Sequence, residues 1–365
     1  MADTVQSITP IVRPRREFNY HASTVLAVAV FLDGSRMVTG SEDQTLCLWN
    51  LKDGAVLKRM KGHHNWVKAL KISEDGKFIA SGAGWGELMA WDGDTGEPLT
   101  EVIRAHTHGV SSVDLSPDSL LLATVSYDKT MKFWRTDTWD IQGAPINIGE
   151  GMHCVRYSPS GELLAIATDE SIQIWNPQIP HVSNYTAKFE AMDNRCQTSL
   201  AWTPDGTRLF SAGDQSNPTI YEWDTSSWKQ VGVPWSGHTK GICILAINST
   251  GTLIASASYD KDVRLWQLSN RQTIAIFRHS DPVRCVTFSA DDKYILSGGV
   301  DWKISEWDIP EGTFLEDTSK VSDVVFRCKE KLRNMSWKAA LCDAQKVPHH
   351  LWSPNSTLLL TLDTI

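Results

Sequence analysis

Between residues 20 and 308 the chain alternates apolar and polar positions in short stretches separated by turn-forming clusters. Thr45-Leu-Cys-Leu-Trp49, Thr130-Met-Lys-Phe-Trp134, Ser171-Ile-Gln-Ile-Trp175 and Asp262-Val-Arg-Leu-Trp266 are examples. A period of two with β-branched and aromatic enrichment predicts strands. Upstream of each lie two further apolar stretches split by a turn, such as Ser73-Glu-Asp-Gly76, Ser116-Pro-Asp-Ser119 or Thr203-Pro-Asp-Gly206. Proline presets the turn backbone, while Asp, Ser and Gly supply local hydrogen bonds or positive φ. Sustained helical periodicity is missing from this region. The pattern predicts an all-β chain built from modules of about four strands.

The modules repeat. Trp49, Trp91, Trp134, Trp175, Trp223, Trp266 and Trp307 are separated by 42, 43, 41, 48, 43 and 41 residues, a period that defines a repeat architecture. Four units also share a fixed polar spacing. His21 precedes Asp43 by 22 residues, and the same interval joins His106 to Asp128, His238 to Asp260 and His279 to Asp301. Thr39, Thr124, Ser256 and Ser297 each stand four residues before that Asp, and Trp49, Trp134, Trp266 and Trp307 six after it. A histidine can bridge a carboxylate and a hydroxyl, and the hydroxyl can take the indole N–H. Buried polar groups require such partners. One His-Asp-Ser set would suggest a hydrolase; four copies at one spacing, each with its tryptophan, indicate a structural network.

Charge and cysteine narrow the function classes. There are 35 basic and 43 acidic side chains, a net charge of −8, so the counterion-displacing excess of a duplex binder is missing. The basic clusters Arg13-Pro-Arg-Arg16 and Lys329-Glu-Lys-Leu-Arg333 read as solvated terminal segments, and no nucleic-acid interface is expected. The seven cysteines are odd in number and widely spaced, which argues against a disulfide framework or a Cys-x-x-Cys site. The longest apolar run, Val25 to Leu32, is too short to span a bilayer, and residues 1–7 lack the features of a signal peptide. A cytoplasmic or nuclear location, with no membrane partner, is expected.

Together Gly62-His63, Gly237-His238, Ala105-His106, Ser258-Tyr-Asp-Lys-Asp-Val-Arg-Leu-Trp266 and the Trp-Asp pairs at 91–92, 223–224 and 307–308 resemble the WD repeats (WD40 family) of seven-bladed β-propellers. The resemblance implies seven four-stranded antiparallel blades, the last closed by an N-terminal strand, and Ile11 to Tyr20 stands where that strand is required. Residues 10–315 would form the ring, 1–9 a disordered N-terminus and 316–365 an extension. Within the extension, residues 319–332 carry helical spacing, and His350 to Thr361 resembles the opening hairpin of an eighth repeat. Some units depart from the pattern. Blade 2 has Trp85 where Asp is expected; blade 4 has Ala165 at the hydroxyl position and Asn147 in place of His; blade 5 carries the insertion Asp214 to Pro218. Blades 4 and 5 are therefore expected to be the softest part of the ring.

No catalytic centre is expected. Gly82-Ala-Gly84-Trp-Gly86 falls in a tight turn between strands, without the strand and helix that a phosphate loop needs. His63-His64, His106-Thr-His108 and His349-His350 lack recurring carboxylate or Cys partners at ligand spacing, so neither metal nor cofactor is expected. The resemblance places function on the rim where the connections between blades meet the turns between the second and third strands. Trp66, Trp85, Tyr127, Lys129, Tyr259, Lys261 and Trp302 are the candidate binding residues, since aromatics interleaved with charge characterise interfaces. Trp66 either packs between loops or faces solvent, and Trp85 either fills the vacated network site or is exposed. Trp202 is expected in the core. The rim positions beside the network Asp and just after the histidines contain no Arg, which argues against phosphopeptide reading, and no Arg follows the Trp-Asp pairs by two, which argues against a ubiquitin-ligase receptor. The expected function is a non-catalytic scaffold binding a peptide or protein on this rim. The alternatives are a methyl-lysine reader with converging rim aromatics, and an enzyme or small-ligand binder using the central channel.

Overall fold

The computed structural model describes residues 8–177, 185–190, 197–311 and 313. Among them the secondary structure is β throughout, in seven four-stranded antiparallel sheets arranged as a propeller. With strands lettered a to d, blade 1 comprises Val25–Val30, Arg36–Ser41, Thr45–Asn50 and Val56–Lys61. Blade 2 comprises Val67–Ile72, Phe78–Ala83, Glu87–Asp92 and Ile103–Arg104, and blade 3 Val110–Leu115, Leu121–Ser126, Thr130–Arg135 and Ile141–Asn147. Blade 4 is Met152–Tyr157, Leu164–Thr168, Ser171–Trp175 and Tyr185–Glu190; blade 5 is Gln197–Trp202, Arg208–Gly213, Ile220–Asp224 and Lys229–Gln230. Blade 6 is Ile242–Ile247, Leu253–Ser258, Asp262–Gln267 and Gln272–Arg278. Blade 7 takes Val283–Phe288, Tyr294–Gly299 and Lys303–Asp308 from the end of the repeat region, and its strand d is Arg16–Asn19.

Packing follows from the alternation. Strands b and c are almost wholly buried, and all seven repeat tryptophans lie in the core. Apolar clusters bridge successive blades: Phe31, Leu46, Leu48 and Met60 of blade 1 pack with Val67, Ile79, Met89 and Trp91 of blade 2. A blade cannot bury its faces alone, so stability grows by stacking. Trp202 is buried, as expected, and its Nε1 donates to the Arg156 carbonyl at 3.2 Å.

The N-terminal segment closes the ring. Phe18 pairs with Ile304, is buried, and joins a cluster containing Val25, Met37, Trp49, Leu296 and Ile304. Arg16 Nε donates to Glu306 Oε2 at 3.0 Å, and Arg15 reaches Asp308 at 3.1 Å. Ile11 lies further out, exchanging backbone hydrogen bonds with Ile276 and Arg278 of blade 6. The first basic cluster is therefore not a solvated tail: two of its arginines are spent on closure.

Every strand a carries a β-bulge at its second residue. The register slips between Val25 and Ala27, Val67 and Ala69, Val110 and Ser112, and at the matching point of the other four blades. A bulged residue is released from the ladder and re-aimed. Here Leu26, Lys68, Ser111, His153, Thr198, Cys243 and Arg284 all line the central channel.

Two compact units divide the chain, Met1–Pro310 and Glu311–Ile365. The helical spacing over 319–332 and the hairpin-like residues 350–361 lie outside the described residues, as do residues 1–7.

Candidate protein-docking rim

The repeat histidines sit in the connections between blades, and each ties its blade together through one chain of bonds. In blade 1 Trp49 Nε1 donates to Thr39 Oγ1 at 2.9 Å, Thr39 Oγ1 lies 2.7 Å from His21 Nε2, and His21 Nδ1 lies 2.9 Å from Asp43. Because the indole can only donate, the hydroxyl accepts from it and donates its own hydrogen bond to the unprotonated Nε2, which places Nδ1–H against the carboxylate. The same order links Trp134, Thr124, His106 and Asp128, and links Trp266, Ser256, His238 and Asp260. In blade 7 Trp307, Ser297 and His279 are bonded, and Asp301 stands off at 3.6 Å.

Blade 2 completes the chain with a residue that the spacing does not reveal. Trp91 Nε1 donates to Ser81, which lies 2.7 Å from His63. The carboxylate is that of Glu87, two positions past Trp85; it lies 3.3 Å from His63 and 3.0 Å from His64, and accepts the His64 backbone N–H at 2.9 Å. Arg104 lies 3.2 Å from it. The longer side chain of Glu reaches back from the first position of strand c to where Asp normally stands, and Trp85 is left free to face outward. Blade 4 compensates differently. Trp175 donates to Gln173 within its own strand, and Gln173 continues through Ser171 to Glu150. In blade 5 Ser211 still accepts the Trp223 indole at 2.9 Å. Neither of these blades leaves its repeat indole unpaired.

Burial pushes the His63 and His106 imidazoles down to about 4, against the pull of their carboxylates. Burial raises Asp260, but hydrogen bonds from His238 and from backbone N–H groups hold it at about 2. The expected pH response follows. Above the ordinary histidine value of 6.5 neither ring is protonated in either state. As pH falls from there towards about 4, the unfolded chain gains protons that the folded one refuses, which costs up to about 3 kcal/mol per ring. Below that, Asp260 resists protonation in the folded chain, and its contribution is lost as pH falls through about 2. Thermal midpoints measured from pH 8 to 3 should therefore fall steadily from pH 6.5 downward; a flat profile to pH 4 would contradict it.

The turns between strands b and c share one end of the ring with the interblade connections. One backbone bond recurs between them: Glu42 to Thr24, Gly84 to Trp66, Tyr127 to Gly109, Asp169 to Gly151, Tyr259 to Gly241 and Val300 to Pro282. On this rim Trp66, Trp85, Trp302 and Tyr127 are 51%, 57%, 50% and 41% exposed. Lys129 and Lys261 are exposed and Tyr259 is half-buried. Gln44, Gly86, Lys129, Lys261 and Trp302 occupy the same turn position and all have left-handed backbone, with φ between 67° and 77°. In blade 2 that position must be glycine, since a Cβ there would lie 2.0 Å from the His106 carbonyl oxygen. In blade 7 the same conformation is imposed on a tryptophan, at a cost of about 1–2 kcal/mol.

The WD domain, G-beta repeat family matches seven times, over residues 12–50, 54–92, 96–135, 147–176, 185–224, 228–267 and 271–308. The chain belongs to the WD-repeat family. It is 25% identical over 299 residues to a ribosome biogenesis protein WDR12 homologue of Drosophila yakuba, covering 75% of this chain and 69% of that protein. It is 28% identical over 284 residues to periodic tryptophan protein 2 of Arabidopsis thaliana, covering 76% of this chain and 31% of that protein.

Against the repeat pattern, the candidate rim residues form two groups. Trp66 and Trp85 belong to blade 2, while Trp302 stands on blade 7, and among the described residues no ring contact joins these three indoles. The tyrosines turn inward to the channel mouth. Tyr127 meets the His153 ring at 5.5 Å and accepts a hydrogen bond from Lys68 at 2.5 Å, and Tyr259 accepts one from Arg284. Lys68, His153 and Arg284 were not among the candidate residues. In the four regular repeats the bulge position lies five residues after the histidine, as Leu26, Ser111, Cys243 and Arg284 do, and Lys68 follows His63 by the same interval. Counting that interval would have found Lys68 and Arg284, though not His153, whose blade has no repeat histidine to count from.

Proposed function

We propose that this WD-repeat protein is a non-catalytic scaffold of a multiprotein assembly, docking a protein partner on the rim that carries Trp66, Trp85 and Trp302. The observation that carries this reading is Trp302: a large aromatic, half exposed, kept at a turn position whose backbone favours glycine. Strained backbone that holds a large side chain at an exposed turn is characteristic of binding sites. Trp85 adds to it, since its blade has moved the network carboxylate to Glu87 and leaves the indole outward. The relatives named for ribosome biogenesis support placement in a nuclear assembly of that kind, and they support protein partners over a substrate.

Affinity capture from the cells that express the chain tests it. Trp85→Ala with Trp302→Gly should lose a discrete partner that the wild type retains. The glycine relieves the left-handed strain, so the variant should melt no lower than the wild type. Retention of every partner by a folded double variant would refute the rim reading.

A further inference from the structure

The channel mouth beneath the rim is a cavity of about 520 Å³, to which strands a of all seven blades contribute. That volume lies within the range of small-molecule sites. Its bulge ring carries two cations, Lys68 of blade 2 and Arg284 of blade 7, on either side of Leu26, and the His153 ring lies across from them in blade 4. Although the chain carries a net charge of −8, no Asp or Glu lines this cavity among the described residues. Lys71 and His153 have carboxylate partners, Asp114 at 2.7 Å and Asp169 at 2.8 Å. Arg156, also on the lining, is spent on the Ser112 hydroxyl and the Val155 carbonyl, and Lys68 and Arg284 have no carboxylate partner among the described residues. Each is held instead by a phenol of the neighbouring blade: Lys68 Nζ lies 4.7 Å from the Tyr127 ring centre, and the Arg284 guanidinium 4.8 Å from that of Tyr259.

These partners bring no negative charge. Burial pushes the Tyr259 phenol up from its ordinary value, and burial pushes the Cys243 thiol up to about 11, so both stay neutral. Lys68 and Arg284 therefore face a shared cavity without a counter-ion among the described residues, an arrangement that focuses positive potential. Each hydrogen bond to a phenol uses one donor. The remaining N–H groups of Lys68 and Arg284 have no protein acceptor among the described residues, and a guanidinium presents them as a fork suited to an oxyanion.

We propose that the rim-side mouth of the channel binds a small free oxyanion of the phosphate class carrying more than one negative charge, with Lys68 and Arg284 as its charged ligands. Tyr127 and Tyr259 hold the two cations in place while the site is empty and line it when it is filled. The site is separate from partner docking, and the two readings stand or fall independently.

Isothermal titration of the purified full chain with inorganic pyrophosphate at low salt tests this without any partner. One saturable site is expected. Lys68→Met and Arg284→Met should each weaken it about tenfold or more, the loss that one charge-assisted hydrogen bond predicts. Arg284→Lys, which keeps the charge, should bind more tightly than Arg284→Met. Lys77→Met and Lys293→Met, at turns outside the cavity, should bind as the wild type does. No saturable binding by the wild type, or equal weakening in all these variants, would overturn the proposal.

Discussion

Removing residues 1–19 should lower the thermal midpoint by about 10 °C and convert the protein to associating species, because closure then fails. The deletion takes away the Phe18 ring, buried against Trp49 with a centroid separation of 5.7 Å. Burial of one such side chain contributes about 2–3 kcal/mol. It also strips Glu306, whose side chain is 6% exposed, of Arg16. A carboxylate left without its cation at such a site costs more than the pair contributed. Strand Lys303–Asp308 would become an open edge with unpaired N–H and C=O groups. Scanning calorimetry and size-exclusion chromatography read both effects. An unchanged midpoint with a monomeric profile would show that the N-terminal strand is dispensable.

Glu87→Ala should be the most damaging single polar substitution in blade 2, at about 3 kcal/mol of unfolding free energy by denaturant titration. The side chain is fully buried, and His63, His64 and Arg104 converge on it. Truncation leaves His63 Nδ1–H facing a cavity, while Ser81 and Trp91 keep their bond. A second variant separates loss of the carboxylate from loss of packing. Blades 1 and 3 place Asp and Thr at the positions of Trp85 and Glu87, with Thr45 bonded to Asp43 and Thr130 to Asp128 at 2.6 Å. The double change Trp85→Asp with Glu87→Thr restores that pattern and should recover most of the stability. If Glu87→Ala costs no more than an exposed substitution, Glu87 is not the missing member of the blade 2 network.

The seven-fold architecture was legible because one tryptophan per unit, at nearly constant spacing, marks the strand around which each blade packs. Four networks were legible because Asp reaches the histidine from only one turn position, so the interval of 22 residues cannot drift. Glu87 escaped that count because one extra methylene lets the carboxylate arrive from a different residue on the adjacent strand. Gln173 escaped because the Trp175 indole finds its acceptor within the same strand, where no long-range spacing exists. Blade 4 was expected to be soft on the strength of Ala165 and Asn147; its tryptophan finds an acceptor in Gln173. Exposure of Trp85 was open for the same reason as Glu87: whether the indole fills the network site depends on which side chain claims it first. The cationic channel mouth lay hidden because the bulge residues differ in type from blade to blade, and only the shared backbone irregularity groups them.

The central claim is that a protein partner sits on the rim bearing Trp66, Trp85 and Trp302. Hydrogen–deuterium exchange of the chain alone and in complex with its captured partner tests it most directly. Amides of residues 63–67, 84–87 and 300–303 should slow on binding, with the outer strands d unchanged. Protection confined to the outer strands, with those turns exchanging as in the free chain, would contradict it.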